Sequence, residues 1–325
     1  MPRSAGFGRL AARAIAVRSR MPTRMPWSSL PPTVTRWVET ELGGRVVTTK
    51  AQQNGFSSGS ADRVVTDNGR RVFVKTVSRS RNAETLELHR REATIMRILP
   101  TEVRAPALLG VFDDDEWIAL MLDDVEGVHP GEQHGADIPA VLDAIAELPE
   151  AAGRLSTLPR LHDELAEDFS AWNSIVADDA DATLPSLALT LRDRMIEAAV
   201  GAADAVVGDH LVHLDCRADN ILIDGTGAAW LIDWPWASIG ARWFDGVTYL
   251  LDVVMRGELV DVDGYLSHPL FETLRYEQLD AVLAALAGTF YNNARQPAPP
   301  NMPTLRAFQR AEADAAVAWL AHRWA

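Results

Sequence analysis

The sequence predicts an α+β protein of two lobes. A small lobe carries a five-stranded, mostly antiparallel sheet and one helix, and a larger, mainly helical lobe follows. Three observations predict it. Asn68-Gly69 lies between two β-branched runs, a strong hairpin signal, in a first third rich in alternating apolar residues. After Gly127 apolar residues recur at helical spacing. One compact β-like stretch, His210 to Asp233, interrupts those helices.

In chain order, Thr33 to Leu42 reads as a short helix that stops at Gly43-Gly44. Arg45–Lys50, Arg63–Thr66 and Arg71–Val77 are strands, with a loop from Gln53 to Ser60 between the first two. In the third strand Val72 and Val74 alternate with Phe73 and Lys75. From Asn82 to Leu99 the pattern is helical, with Leu86, His89, Ala93, Met96 and Leu99 on one face and Pro100 as the stop. Leu108–Phe112 and Trp117–Leu122 make two further strands about the acidic turn Asp113–Glu116. The helices expected beyond Gly127 are Ile138–Leu148, Leu161–Val176, Leu187–Val207, Val247–Met255, Tyr276–Arg295 and Thr304–Trp324. The expected division is a disordered basic tail over 1–32, with Met21 and Met25 as alternative starts, a small lobe and linker over 33–126, and a large lobe over 127–325.

Composition narrows the classes of partner. The chain of 325 residues has a net charge of −14, but residues 1–38 hold seven arginines and no acid. The remainder sets 24 basic against 45 acidic residues, a net of −21. Such a body repels a nucleic-acid backbone and suits a cationic small molecule. No run of 18 apolar residues occurs and residues 1–26 lack the apolar core of a signal peptide, so a membrane partner is not expected. A lone cysteine, Cys216, excludes a disulfide framework and fits the cytoplasm. Of 31 basic residues 29 are arginine, and the lysines are Lys50 and Lys75. A lysine on the third strand of such a chain invites a functional explanation, because a compact ammonium and a forked guanidinium are not interchangeable.

The chemistry concentrates in Leu211-Val-His213-Leu-Asp215-Cys-Arg-Ala-Asp-Asn220-Ile-Leu-Ile223 and Ala229-Trp-Leu-Ile-Asp233-Trp-Pro-Trp236. Asp215 stands five residues before Asn220, and the next apolar strand ends in Asp233. A hairpin through Asp224-Gly-Thr-Gly227 brings Asn220 and Asp233 to one end of the ladder. Phosphoryl transfer needs such a set: one carboxylate to orient the attacking hydroxyl, and an amide and a carboxylate to hold Mg²⁺ against the phosphates. The crowded Trp230, Trp234, Trp236 and Trp243 read as core.

His213-x-Asp215-x-x-x-x-Asn220 with Asp233 resembles the catalytic and metal loops of the aminoglycoside phosphotransferase family, within the protein-kinase-like fold, and the resemblance spans residues 33–325. It implies that Asp215 is the catalytic base, that Asn220 and Asp233 bind Mg²⁺, and that His213 braces the loop. It makes Lys75 the phosphate-gripping lysine and Glu92 its ion-pair partner. The loop Asn54–Ser60 would cover the phosphates through Gly55, Ser57, Ser58, Gly59 and Ser60, although it lacks the G-x-G-x-x-G form. Asp123 and Val125 fall in the stretch Leu120–Glu126 that resembles the adenine-holding linker, and Asp245 resembles the helix-start aspartate that bonds to the catalytic loop. The loop also departs from the family, with His-Leu-Asp-Cys-Arg-Ala-Asp in place of His-Gly-Asp-Leu-His-Pro-Gly.

The expected function is an ATP-dependent, Mg²⁺-requiring small-molecule kinase acting on a hydroxyl of an amino sugar, aminoglycoside or amino alcohol, in a monomer or homodimer. Alternatives are a protein kinase, disfavoured because Asp233 and Asp245 are too close to enclose a long activation segment, and a non-catalytic nucleotide-binding interaction module.

Overall fold

The structure is a computed structural model and describes residues 24–52, 59–131, 137–257, 261–299 and 302–325. It divides into two compact units. The described residues of Met21–Ala144 and Asp219–Trp236 form the first, and those of Ile145–Ala218 and Ala237–Ala325 form the second.

The first unit opens with a short turn at Trp27–Ser29 and helix α1 (Pro32–Leu42). Pro32 starts α1 where a missing N–H costs nothing. Strands β1 (Val46–Ala51), β2 (Ser60–Thr66), β3 (Arg71–Ser78), β4 (Leu108–Asp113) and β5 (Trp117–Asp123) form one antiparallel sheet in the order β1-β2-β3-β5-β4. The five expected strands and the Asn68-Gly69 turn are all present. Gly69 has φ 83°, a left-handed value open to glycine at little cost. Helix α2 (Ala83–Met96) is capped by Asn82, whose side chain accepts the Thr85 N–H at 2.9 Å.

Period-two alternation divides the sheet between two cores. Val64, Val72, Val74, Ala119 and Met121 pack with Leu30, Val34, Val38 and Leu42 of the α1 segment. Val77, Ile118 and Leu120 face the other way, against Leu86 and Ala93 of α2. Each of these large aliphatic side chains contributes about 1.5–3 kcal/mol of burial. Residues 24–31, assigned to the tail on sequence grounds, include Leu30 in the first core and Met25, whose N–H donates to Gly59 O at 3.1 Å. The packed chain therefore begins ahead of the expected boundary at residue 33.

The hairpin β7–β8 (Ile221–Ile223 and Ala229–Leu231) belongs to the same unit. It is fastened by Val128 and Ile223, which exchange N–H···O bonds of 3.0 and 2.8 Å, and by the Leu231 N–H to Arg104 O at 2.9 Å. Asp224 closes its turn, accepting from Thr226, Ala228 and the Trp230 indole N–H. Those donors hold its carboxyl well below the usual carboxylate range.

In the second unit, β6 (His210–Val212) pairs with β9 (Ser238–Gly240), not with β7, so the single β region expected over 210–233 is divided between two small sheets. The boundary between the units falls within helix α3 (Asp137–Ala146). Two expected long helices are broken. Leu161–Val176 becomes α4 (Leu161–Leu165), a turn at Asp168–Ser170, and α5 (Ala171–Ala177). The Asp168 carbonyl accepts the Ala171 N–H of this turn and also the Thr289 hydroxyl at 2.7 Å. Leu187–Val207 becomes α6 (Ser186–Ala199) and α7 (Ala202–Ala205), parted at Gly201, where glycine weakens a helix by about 1 kcal/mol. Helices α8 (Phe244–Arg256), α9 (Tyr276–Ala294) and α10 (Leu305–Arg323) complete the unit close to their expected bounds. No described helix is long and apolar enough to cross a membrane.

Candidate active site

In the first unit, strand alternation turns Phe73 and Lys75 away from the α1 core and into a pocket. Lys75 Nζ lies 2.5 Å from Glu92 Oε2 and 2.9 Å from Asp233 Oδ1. Glu92 is fully buried on α2, and its Oε1 accepts the Trp234 N–H at 3.4 Å. Burial opposes the Lys75 ammonium, but Asp233 and Glu92 outweigh it and hold the pKa above the ordinary lysine value. Burial also pushes the Glu92 carboxyl up, against the pull of Lys75. The Lys75 ammonium thus stays charged beside the two carboxylates.

Asn220 and Asp233 meet at one end of the β7–β8 ladder, where the Ile232 N–H donates to Asn220 O at 2.9 Å. Both line the pocket. Asp233 has φ 68°, one of four non-glycine residues with positive φ among those described. Such strain persists only where the surroundings over-determine it. Trp234 beside it is fully buried and donates its indole N–H to Leu231 O at 2.9 Å. Trp230 and Trp236 are half-buried, and Arg91 lies over the Trp236 ring.

The pocket walls are apolar at Ala61, Phe73, Pro106, Leu122, Leu222 and Ile232. Asp123 and Val125 line it at the end of β5. Asp123 exchanges bonds with Ala107, through its N–H to Ala107 O at 3.0 Å and its Oδ2 from Ala107 N–H at 3.3 Å. The Val125 carbonyl accepts from Arg63 at 3.1 Å, and Arg63 also pairs with Asp124 at 3.2 Å.

The glycine- and serine-bearing loop is described only in part. Gly55, Ser57 and Ser58 lie outside the described residues. A Cβ on Gly59 would come within 1.8 Å of Thr76 O, so close approach to β3 demands glycine there. Ser60 is fully buried, and its Oγ lies 3.0 Å from Thr76 Oγ1 across the ladder. That contact engages the hydroxyl expected to face phosphate.

In the second unit, Asp215 Oδ1 lies 3.1 Å from Arg217 Nη1, and the Arg217 guanidinium lies over the Phe308 ring. Asp245, in the first turn of α8, accepts the N–H groups of His213 at 2.6 Å and Leu214 at 2.9 Å. Two turns on, Asp252 accepts the Ala218 N–H at 3.0 Å and pairs with Arg256 at 2.9 Å. The loop 213–218 is thus sewn to α8 at both ends, and Leu214 just before Asp215 is held at φ 70°. Burial pushes the Asp245 carboxyl up against the pull of His213 and the two amides. His213 is fully buried. Burial and the nearby aspartates raise the Cys216 thiol well above its ordinary value, which leaves it inert.

Sequence reasoning did not single out Arg24, Arg63 and His89 in the pocket, or Arg217 and Asp252 about the Asp215 loop. Asp252 carried a usable signal, since it lies seven residues from Asp245 and so on the same helix face. Arg24 carried none, as one of seven arginines in the basic segment.

A model of the phosphotransferase enzyme family matches residues 53–279, more than half of the chain. The chain belongs to this family, and it is a phosphotransferase. Its fold is protein-kinase-like. An aminoglycoside phosphotransferase from Alicyclobacillus acidocaldarius superposes with a TM-score of 0.55 at 16% identity, covering 93% of this chain and 97% of that one. Choline kinase LicA from Streptococcus pneumoniae superposes at 0.56 and 13% identity, covering 87% and 98%. An ADP-bound aminoglycoside phosphotransferase superposes at 0.51 and 15% identity, covering 88% and 99%. No curated protein sequence matches the chain.

Proposed function

We propose that this phosphotransferase moves the γ-phosphoryl group of ATP to a hydroxyl of a small, amine-bearing acceptor such as an amino sugar, aminoglycoside or amino alcohol. The observation that carries the reading is Lys75, held by Glu92 and Asp233 in a pocket that Asn220 shares. The residues present fit the groups the reading needs. The apolar walls suit a purine, Lys75 offers a compact cation to phosphate, and Asn220 and Asp233 offer hard oxygen donors to Mg²⁺. Mg²⁺ held there would neutralise charge on the phosphates.

The chain's own residues divide the remaining work. Glu92 keeps the Lys75 ammonium charged and aimed. Asp123 and Val125 border the purine end. Gly59 lets the backbone at the start of β2 approach β3 closely. Asp215 takes the proton of the acceptor hydroxyl as it attacks, with Arg217 fixing the carboxylate's direction. Two considerations support an amine-bearing acceptor: the net charge of −21 beyond residue 38, and neighbours in fold named for aminoglycosides and for choline. The test is a coupled ADP-release assay with Mg²⁺ and ATP across amino sugars, aminoglycosides, amino alcohols and neutral alcohols. Turnover is expected with an amine-bearing alcohol and none without Mg²⁺. Equal turnover of neutral alcohols would remove the acceptor assignment, and activity without a divalent ion would remove the metal.

A further inference from the structure

Arg24 belongs to a stretch that composition marks as tail, yet it lines the pocket together with Lys75, Asn220 and Asp233. Its backbone is anchored nearby. The Met25 N–H donates to Gly59 O, Met25 and Trp27 pack on the α1 core, and Leu30 is buried within it. The guanidinium interacts electrostatically with Asp233 and Asp62, and burial lowers its pKa against the pull of those two carboxylates. An arginine remains charged under any such shift at neutral pH.

We infer that Arg24 is a phosphate ligand of the nucleotide, a second cation that grips the triphosphate beside Lys75. The inference rests on the ATP reading above. Charge balance carries it. Lys75 is shared by Glu92 and Asp233, and Asp62 adds a third carboxylate, so Arg24 is what limits the negative charge that this end of the pocket turns toward a nucleotide that stays anionic even with its divalent ion. Arg63, the other arginine of the pocket, pairs with Asp124 and the Val125 carbonyl. When Asp233 engages metal, the Arg24 guanidinium that faces it can pair with phosphate beside Lys75, and its planar fork matches two phosphate oxygens at once.

Calorimetry of the full chain and of Arg24→Met, titrated with Mg²⁺·ATP, Mg²⁺·ADP and adenosine, tests this. The variant should bind Mg²⁺·ATP about 10- to 100-fold more weakly, the loss expected for a charge-assisted hydrogen bond or two. Adenosine affinity should be unchanged, which also reports that the variant is folded. Arg24→Lys should recover part of the ATP affinity. Equal or tighter ATP binding by Arg24→Met overturns the assignment and makes Arg24 a plug on Asp233. Weakening of adenosine and ATP by the same factor also overturns it, since the loss would then not lie at the phosphates. A wild-type chain that binds no nucleotide overturns the ATP reading and this inference together.

Discussion

Lys75 Nζ and Asp233 Oδ1 are 2.9 Å apart although 158 residues separate them in the chain. The contact joins the inward face of β3 to the end of the β7–β8 hairpin, with buried Glu92 as the third member. On the proposed function, a lysine between two carboxylates would exchange one of them for phosphate when Asp233 takes up a cation.

Lys75→Met should therefore cost both binding and stability. Removing one member of a buried ion pair leaves the other uncompensated, at about 3–5 kcal/mol. Thermal denaturation should show a lowered Tm, and adding Glu92→Gln should restore much of it without restoring ATP affinity. An unchanged Tm in Lys75→Met would mean that the pair contributes nothing to the fold.

Asp215→Asn should leave ATP affinity intact and lower kcat by about 10²- to 10⁴-fold, the range of a lost general base. Arg217→Met should lower kcat by a smaller factor, because it aims the carboxylate without touching the proton. Steady-state kinetics beside calorimetry separates the two. Full turnover by Asp215→Asn would end its assignment as base.

Asp245→Asn places an amide where two backbone donors are now met by two carboxylate oxygens. One N–H must then face an NH₂ group, at about 1–3 kcal/mol. The left-handed Leu214 loses a brace, so kcat should fall along with Tm while adenosine affinity is kept. A drop in Tm with kcat unchanged would show that the loop keeps its shape without this bond.

His89 sets an acid limit. Burial, aided by Lys75, pushes its pKa down to about 3, and its Nε2 has no hydrogen-bond partner among the described residues. A folded-state pKa below the unfolded value gives stability that is present above about pH 6.5 and is lost as pH falls toward 3, at about 1.4 kcal/mol per pH unit. His89→Gln should flatten this part of the profile. Tm measured at pH 7 and pH 4.5 should fall less in the variant than in the wild type.

Much of the fold was legible because it rests on local rules. Strand alternation put Val72 and Val74 in one core and Phe73 and Lys75 on the other face, and Asn68-Gly69 marked its turn. The break at Asp168–Ser170 was not legible, since a hydroxyl of α9 meets the Asp168 carbonyl from 121 residues away, whereas Gly201 was a visible signal for the other break. Nor was the pairing of β6 with β9, which depends on chain that comes after the hairpin. Among candidate site residues, Ser60 looked the same as any loop serine until its hydroxyl met Thr76.

The sequence by itself determined the order and identity of the chemical groups: a strand lysine, a helix glutamate, and the Asp215, Asn220 and Asp233 series. On the proposed function, their residue types are those that phosphate, metal and proton transfer demand. Only the tertiary structure decided which carboxylates share Lys75, which helix acids hold the Asp215 loop, and that Arg24 reaches the pocket at all. Those outcomes depend on burial and on contacts between distant segments. Spacing along the chain does not encode them.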